Sequence, residues 1–195
     1  KVNEKLERHE EAFVAQEYEH GERFEYDFGE VHLYIAGKFT KVFLAAMCAP
    51  ASGYRYGLLY DSQKQDAFLD SQVRFFEHMG GCFAEGVYDN MKNVVSRFIG
   101  KNEKEINPAL LALAAYYGFR VNVTNCFAGN EKGSVENAVK VIRQEAFATK
   151  WSFDTLEQAQ AHLDETLATL NAGKDVDSER SGLSAYRPPY EVADI

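Results

Sequence analysis

The stretch Phe24-Glu25-Tyr26-Asp27-Phe28-Gly29-Glu30 sets a carboxylate, Asp27, inside a strand-like run of aromatic residues. Two further acidic residues stand in equally distinctive settings: Asp89 ends the apolar run Gly86-Val87-Tyr88, and Glu136 opens a helix-like stretch. A charge within a strand, or at the tip of a buried one, costs free energy unless it has a partner. Three converging carboxylates need a cation between them. The pattern therefore indicates a magnesium site for phosphoryl transfer, with two ions about 4 Å apart.

Three successive strands are predicted for the first third of the chain. Residues 24–35 alternate in part between apolar and polar side chains, and residues 40–48 form an almost continuous apolar run. Residues 53–60 place three tyrosines and a leucine on one face. The connections between these segments are short, with Gly37-Lys38 as a turn signal. This arrangement favours an antiparallel meander.

A helix is predicted after these strands, and a fourth strand after the helix. The pair Ser62 and Gln65 has the spacing of a capping box, and Gly80-Gly81 ends the helical periodicity. Residues 82–88 then form a short apolar run that leads to Asp89. A strand that follows a helical crossover is expected to lie parallel to its neighbour in the sheet.

A second helix and a fifth strand complete the predicted core. Asn107-Pro108 starts the helix, with proline at its first position, and Gly118 ends it. Residues 119–124 alternate as a strand, and a loop over residues 125–133 leads to the helix that carries Glu136. The order is therefore three strands, helix, strand, helix, strand, helix.

Several segments also carry a family resemblance. Tyr88-Asp89-Asn90-Met91-Lys92 follows His78-Met79-Gly80-Gly81, and Tyr116-Tyr117-Gly118-Phe119 precedes Lys132-Gly133-Ser134-Val135-Glu136. These segments resemble those around the second aspartate and the glutamate of the DDE transposases, which have a ribonuclease-H-like core. The resemblance is closest to the IstA-type insertion-sequence transposases and runs from about Phe24 to Phe147. The stretch around Asp27 departs from the family pattern, with Phe28 where Trp is more usual.

The order of elements and the resemblance predict the same α/β fold. It is a ribonuclease-H-like fold with a mixed five-stranded sheet, in which three antiparallel strands are followed by parallel additions, and with helices flanking the sheet. We expect a lead-in helix or linker over residues 1–20 and the catalytic core over residues 21–150. An additional helix is expected over residues 151–172, and an extended tail or linker over residues 173–195.

The resemblance implies a transposase catalytic domain that cleaves DNA at 3′ ends and transfers those ends to target DNA. Asp27, Asp89 and Glu136 are its expected catalytic and metal-binding residues. The implied cofactor is Mg²⁺, as two ions, with Mn²⁺ as a substitute. We expect Asp27 to bind both ions, Asp89 to bind one and Glu136 to bind the other.

Four cations are expected to bind DNA phosphates. At about 100° per residue, Lys140 and Arg143 share one flank of a helix with Glu136. Lys132 lies one turn earlier, and Lys92 follows Asp89. Carboxylates for metal beside cations for phosphate suit a DNA-cleaving site. Residues such as Lys140 and Arg143 more often form a solvated helix flank than bind phosphate.

Plainer explanations and other functions remain open at this point. Taken alone, Asp27 fits a surface position on an edge strand, Asp89 fits a turn or helix cap, and Glu136 fits the favourable first turn of a helix. A metal-dependent nuclease of ribonuclease-H-like type is an alternative within catalysis. A non-catalytic assembly domain that contacts a partner ATPase is an alternative outside it.

Composition limits the possible partners. The 195 residues carry a formal net charge of −9, with much of the acid near the two ends, so we expect weak intrinsic DNA affinity. No run approaches the roughly 20 apolar residues of a membrane span. The three cysteines form no CxxC motif and are expected to be buried free thiols. Because the sequence starts at Lys1, we expect it to belong to a longer protein.

The resemblance implies DNA partners, namely transposon ends and target DNA. It also implies a homo-oligomer, at least a dimer, a possible companion AAA+ ATPase and no membrane. The expected location is the bacterial cytoplasm, in association with the nucleoid.

Overall fold

The computed structural model describes residues 17–98, 104–124, 133–185 and 187–188, and its longest strand carries Asp27. The described residues form ten strands and five helices. In chain order these are β1 (Arg23–Ile35), β2 (Lys38–Ala49), β3 (Tyr54–Tyr60), α1 (Gln65–Met79), β4 (Gly81–Cys82), β5 (Glu85–Tyr88), β6 (Val95–Phe98), β7 (Lys104–Ile106), α2 (Pro108–Tyr117), β8 (Arg120–Val123), α3 (Gly133–Phe147), β9 (Ser152–Phe153), α4 (Leu156–Leu170), α5 (Val176–Gly182) and β10 (Ser184–Ala185).

The central sheet has the order β3-β2-β1-β5-β8. β1 and β2 pair antiparallel from Glu25 to Ile35, and β2 pairs antiparallel with β3. β5 adds to the other edge of β1 in parallel, and β8 adds to β5 in parallel. The predicted meander with parallel additions is therefore confirmed. A sixth strand, β9, pairs in parallel with the end of β1 at Tyr34 and Ile35.

Side chains of β1 alternate between two hydrophobic cores, one on each face of the sheet. Phe24 and Tyr26 are fully buried against α1 and α2 in an aromatic-rich core. Val31 and Leu33 are buried against α3 and α4 in an aliphatic core. Each buried side chain of this size contributes about 1.5–3 kcal/mol of transfer free energy, so both helix layers are held firmly on the sheet.

Local signals located the ends of α2 correctly and the start of α1 incorrectly. Asn107 caps α2 by accepting a hydrogen bond from the Ala109 N–H, and Gly118 ends the helix with a left-handed conformation. α1 begins at Gln65, with Lys64 at the N-cap and no capping side chain, so the capping box predicted at Ser62 is wrong. The hairpin of β6 and β7 was not predicted.

The segment after α4 folds back onto the core, so the expectation of an extended tail is wrong for residues 176–185. α5 presents Glu179, which is 1% exposed and accepts hydrogen bonds from the backbone N–H groups of Gly21 at 2.8 Å and Ser52 at 3.0 Å. β10 then pairs antiparallel with β4. Gly182 and Gly21 cross so closely that a Cβ on Gly21 would lie 2.3 Å from the Gly182 carbonyl carbon.

The remaining expectations concern the flanking helix, the thiols and the start of the chain. The helix predicted over 151–172 forms from Leu156 to Leu170 and is preceded by β9. Cys48 and Cys82 are buried free thiols, as expected, whereas Cys126 and residues 1–16 lie outside the described part of the chain. Among the described helices, none is both long and apolar enough to cross a membrane.

Candidate active site

Asp27 and Asp89 lie at the same level on neighbouring parallel strands. The pairing of β1 with β5 ends with Glu25 opposite Val87. Asp27 lies two residues further along β1, and Asp89 lies two residues beyond Val87, directly after the end of β5. Residues that share a level in a parallel pair point to the same face of the sheet. Asp27 is therefore not on an edge strand, because β1 has β2 on one side and β5 on the other.

The two aspartates line one open cavity of about 780 Å³. Both are half-buried, and Lys92 contributes to the same wall from the segment after β5. The remaining lining is mostly polar and consists of Phe28, Gln63, Asn90, Met91 and Asn93. Two carboxylates and an amine thus line one solvent-accessible space.

Thr124, which follows β8, holds Asp89 in place. Its hydroxyl donates to Asp89 Oδ1 at 2.9 Å, and its backbone N–H donates to the Tyr88 carbonyl at 2.9 Å. Its own carbonyl accepts from Asn90 Nδ2 at 3.1 Å and from Lys104 Nζ at 3.0 Å. Thr124 is only 4% exposed, so the loop that carries Asp89 is tied to a buried residue that directly follows β8.

α3 lies against the face of β1 that carries Asp27. On one side of Asp27, the buried Glu25 carboxylate accepts a hydrogen bond from the Val135 backbone N–H at 3.0 Å. On the other side, Gly29 lets Val139 approach, since a Cβ at Gly29 would lie 2.6 Å from Val139 Cγ1. Asp27 therefore lies between two residues of β1, Glu25 and Gly29, that contact α3.

The charged flank of α3 faces the edge of β1 on which Asp89 lies. Arg143 Nη1 donates to the Glu30 carbonyl at 3.4 Å. Tyr34 lies four residues after Glu30 on β1. Its N–H donates to the carbonyl of Trp151, the residue before β9, and β9 lies on the edge of β1 away from β2. Backbone groups four residues apart in a strand point the same way, so the Glu30 carbonyl also points to that edge. Glu136 and Lys140 share this flank by helical periodicity.

The predicted third carboxylate is not brought to the first two. Glu136 is exposed in the first turn of α3 and does not line the cavity. Within residues 17–98, 104–124 and 133–185, no three His, Cys, Asp or Glu side chains are grouped closely enough to hold a metal ion. Lys140 and Arg143 are exposed on α3, and Lys132 lies outside the described residues.

Two residues that shape the site, Glu25 and Thr124, were not predicted from the sequence. Glu25 is 1% exposed in β1, although a strand position between two aromatic residues is costly for a charge. The same argument that selected Asp27 applies to Glu25 and would have found it. Thr124 carries no comparable signal, because its role depends on the pairing of β8 with β5.

Solved structures with a similar fold are retroviral integrase cores. The BIV integrase catalytic core domain superposes with a TM-score of 0.56 at 14% identity, over 79% of this chain and 86% of that one. The HTLV-2 integrase catalytic core domain in complex with magnesium superposes with a TM-score of 0.57 at 14% identity, over 85% of this chain and 99% of that one. These likenesses confirm the ribonuclease-H-like fold.

Curated proteins with similar sequences are transposases of insertion sequences. The transposase for IS1326/IS1353 of Pseudomonas aeruginosa is 28% identical over 158 residues, covering 81% of this chain and 31% of the relative. The IS21 transposase of the same organism is 30% identical over 151 residues, covering 76% and 38%. The IS640 transposase of Shigella sonnei is 29% identical, covering 92% and 61%.

The chain has a transposase/integrase catalytic core. It spans about a third of the length of the IS1326/IS1353 transposase that it matches. No protein-family model matches the sequence. The resemblance to DDE transposases that was read from residues 88–92 and 132–136 is confirmed.

The donor set of this transposase core fits a hard divalent cation in part. Asp27 and Asp89 supply carboxylate oxygens at one level of a rigid sheet, and Mg²⁺ prefers one or two carboxylates together with water and phosphate oxygens. The cavity is open and leaves room for those further ligands. Asp27 and Asp89 are therefore the residues that would hold a first magnesium ion, together with water and phosphate oxygens.

Proposed function

We propose that this transposase core catalyses metal-dependent cleavage at the 3′ ends of transposon DNA and joins those ends to target DNA. The observation that carries the proposal is the convergence on one cavity of Asp27, on β1, and Asp89, directly after the adjacent parallel strand β5. The similarity to insertion-sequence transposases supports the same reaction.

Asp27 and Asp89 hold divalent cations in this proposal, and the integrase core of HTLV-2 was solved in complex with magnesium. When bound, Mg²⁺ lowers the pKa of an attacking hydroxyl group and neutralises charge on the transferring phosphate. Thr124 keeps Asp89 in one orientation through its hydroxyl. We propose two ions, with Mn²⁺ as a functional substitute.

Glu136 is the third ligand in this proposal. It lies on the flank of α3 that faces the Asp89 edge of β1, one residue after the contact with Glu25. Because its side chain is exposed, a change of its rotamer would bring the carboxylate toward the aspartates. In this proposal Asp27 would bind both ions, Asp89 would bind one and Glu136 would bind the other.

The cations around this cleft bind DNA phosphates. Lys92 lines the cavity itself, and Lys140 and Arg143 lie on the same flank of α3 as Glu136. We include Lys132 on its position in the sequence alone. Cations that contact phosphate place a strand without reading its bases, so sequence preference would come from elsewhere.

Assembly on DNA belongs to the same proposal. The HTLV-2 integrase core is known in dimeric and trimeric forms, and a chain of the simian T-cell lymphotropic virus intasome shares this fold with a TM-score of 0.62 at 12% identity. We propose that this core acts as at least a dimer on paired transposon ends, with a companion AAA+ ATPase, in the nucleoid of a bacterial cytoplasm.

Asp89→Asn tests the proposal. It retains the shape of the side chain and its hydrogen bond with Thr124 but removes a charged metal ligand, so joining of pre-cut transposon ends to plasmid DNA should fall at least about 100-fold. The circular dichroism spectrum and the urea midpoint should stay near those of wild type.

Asp61→Asn is the matched control. Asp61 is an exposed carboxylate just after β3 and is not in the cavity lining, so this variant should join DNA at the wild-type rate. Undiminished joining by Asp89→Asn would refute the assignment. Nicking without joining by the wild-type protein would assign a nuclease instead.

A further inference from the structure

Glu25 is a buried carboxylate with defined partners, and the proposed reaction does not use it. It lies in β1 with 1% of its surface exposed. Its Oε2 accepts a hydrogen bond from the Val135 N–H at 3.0 Å, and its Oε1 lies 3.7 Å from Arg23 Nη2. A buried carboxylate is costly unless such partners compensate for its lost hydration, so its retention in the core of a sheet needs a reason.

The partner of Glu25 is a backbone group that lacks an acceptor within its own helix. The first four N–H groups of an α-helix have no intrahelical partner, and the positive end of the helix dipole favours an anion there. Val135 is the third residue of α3, and Glu25 supplies its acceptor from a strand 110 residues earlier in the chain. The first turn of α3 is thereby fastened to β1.

This hydrogen bond connects the two halves of the proposed site. Glu25 lies two residues before Asp27 on the same face of β1, and Val135 lies one residue before Glu136. The contact between Gly29 and Val139 fixes the next turn of the helix on the same strand. With both contacts in place, the first turn of α3 cannot slide along the strand that carries Asp27.

We infer that Glu25 is a positioning residue that sets the location of Glu136 relative to Asp27, and through it the affinity of the site for a divalent cation. The inference rests on the proposed function, because it assigns Glu136 to the metal site. Glu25 does not itself reach the cavity lining, so its effect is transmitted through the first turn of α3.

Glu25→Ala and Glu25→Gln separate the hydrogen bond from the charge. The alanine variant removes the acceptor, so exchange of the Val135 amide hydrogen, followed by NMR, should speed up at least about tenfold. Its dissociation constant for Mn²⁺ in calorimetry, and the Mg²⁺ concentration for half-maximal DNA joining, should each rise about 10-fold or more, in the range of outer-shell effects on metal sites. Saturating Mg²⁺ should restore most of the joining rate.

The glutamine variant should bind Mn²⁺ within about threefold of wild type, because its amide oxygen can accept the same hydrogen bond. It also keeps the test decisive if the alanine variant misfolds, because glutamine has nearly the same side-chain volume as glutamate. Ile142→Val is the matched control for stability: Ile142 is fully buried in α3, and the change costs about 0.5–1.5 kcal/mol without touching the first turn. Its metal dependence should equal that of wild type.

The possible results distinguish the inference from the proposed function. An alanine variant with faster Val135 exchange but unchanged Mn²⁺ affinity and Mg²⁺ dependence would overturn the inference alone. So would an equal shift of metal affinity in Ile142→Val. If wild-type protein and the Glu25 variants bind Mn²⁺ with the expected order of affinities but the wild-type protein joins no DNA, the proposed function is refuted and the positioning role is supported. Wild-type protein without saturable Mn²⁺ binding would overturn both.

Discussion

Thr124 lies at the end of β8, where its hydroxyl donates to Asp89 and its carbonyl accepts from Asn90 and Lys104. The hydroxyl satisfies one lone pair of a carboxylate that must otherwise face the solvent of an open cavity. Without this donor, Asp89 would sample more rotamers, and metal binding at the proposed site would weaken. We therefore expect loss of the Thr124 hydroxyl to lower the rate of the proposed reaction.

Thr124→Val replaces the hydroxyl by a methyl group of similar size. We expect DNA joining to fall about 10-fold and the free energy of unfolding to fall by about 1.5–3 kcal/mol, the usual range for a hydrogen bond to a charged group. Joining assays and urea denaturation measure the two effects. Thr40→Val is the control, because the Thr40 hydroxyl donates only to the Lys38 carbonyl at an exposed hairpin. Equal losses in the two variants would contradict this role for Thr124.

At this scale, the sequence predicts charges that end or interrupt a strand and misses residues whose role comes from tertiary contacts. Asp27 and Asp89 stood out because each is an acid in an apolar setting. Glu25 stands in the same setting, but its role depends on the hydrogen bond that it accepts from the Val135 N–H, 110 residues away. Glu136 was predicted on α3 correctly, yet its position relative to the aspartates depends on how α3 crosses β1, which periodicity does not specify.

α5 has only seven residues, yet it joins three parts of the core. Glu179 accepts from the backbone N–H groups of Gly21, at the entry to β1, and of Ser52, in the turn between β2 and β3. Arg180 Nη2 donates to the His78 carbonyl at the end of α1. α5 therefore connects these parts of the core, and most of its hydrogen bonds to them are accepted by one buried carboxylate.

Glu179→Ala should lower the free energy of unfolding by about 3 kcal/mol, because it leaves two backbone donors without their acceptor. Asp177→Ala, at an exposed position of the same helix, should change it by less than about 0.5 kcal/mol. Urea denaturation of both variants provides the comparison. Similar midpoints for the two variants would show that α5 contributes little to the stability of the core.

The elements that were predicted correctly carry their signals locally. α2 is bounded by Asn107-Pro108 at one end and Gly118 at the other, and β2 is a continuous apolar run. The elements that were missed or misplaced do not. β9 and β10 have two residues each and depend on pairing with β1 and β4. α5 is polar apart from Val176, and Glu179 holds it on the core through backbone donors that are distant in the sequence.

The aromatic core makes the whole molecule sensitive to alkaline pH. Tyr26 and Tyr88 are fully buried, and burial raises the pKa of each well above its ordinary value, with the charge of Asp27 adding to the rise at Tyr26. Burial also raises the pKa of the Cys48 and Cys82 thiols to about 12. All four groups are held neutral in the folded protein, and all four ionise more readily once unfolded.

A pKa that is higher in the folded state contributes stability that is complete below the unfolded pKa and is lost as the pH rises through the folded value. The unfolded thiols and tyrosines have pKa values of about 8.5 and 10. We therefore expect the free energy of unfolding to be insensitive to these groups near neutrality, to begin to fall above about pH 8.5 and to fall steeply above about pH 10. Urea denaturation at a series of pH values measures the curve.

Tyr88→Phe is the informative variant for this prediction, because it removes one buried hydroxyl that donates to Gln72 at 2.6 Å. It should be less stable than wild type near neutrality and should show a shallower decline above about pH 10. Ultraviolet absorbance of tyrosinate gives an independent check. Reversible ionisation of all eleven tyrosines near pH 10 in a protein that stays folded would contradict the prediction.

Because the backbones of Gly21 and Gly182 cross, the chain between these two residues begins and ends at nearly the same place. The backbone enters and leaves the region of residues 21–182 at one point, where neither residue has space for a side chain. A short peptide linker could bridge these two positions, and the chain could then be opened at another surface turn, such as the one at Ala36 and Gly37, without altering the sheet order. Circular permutants would thereby separate the connectivity of this transposase core from its architecture.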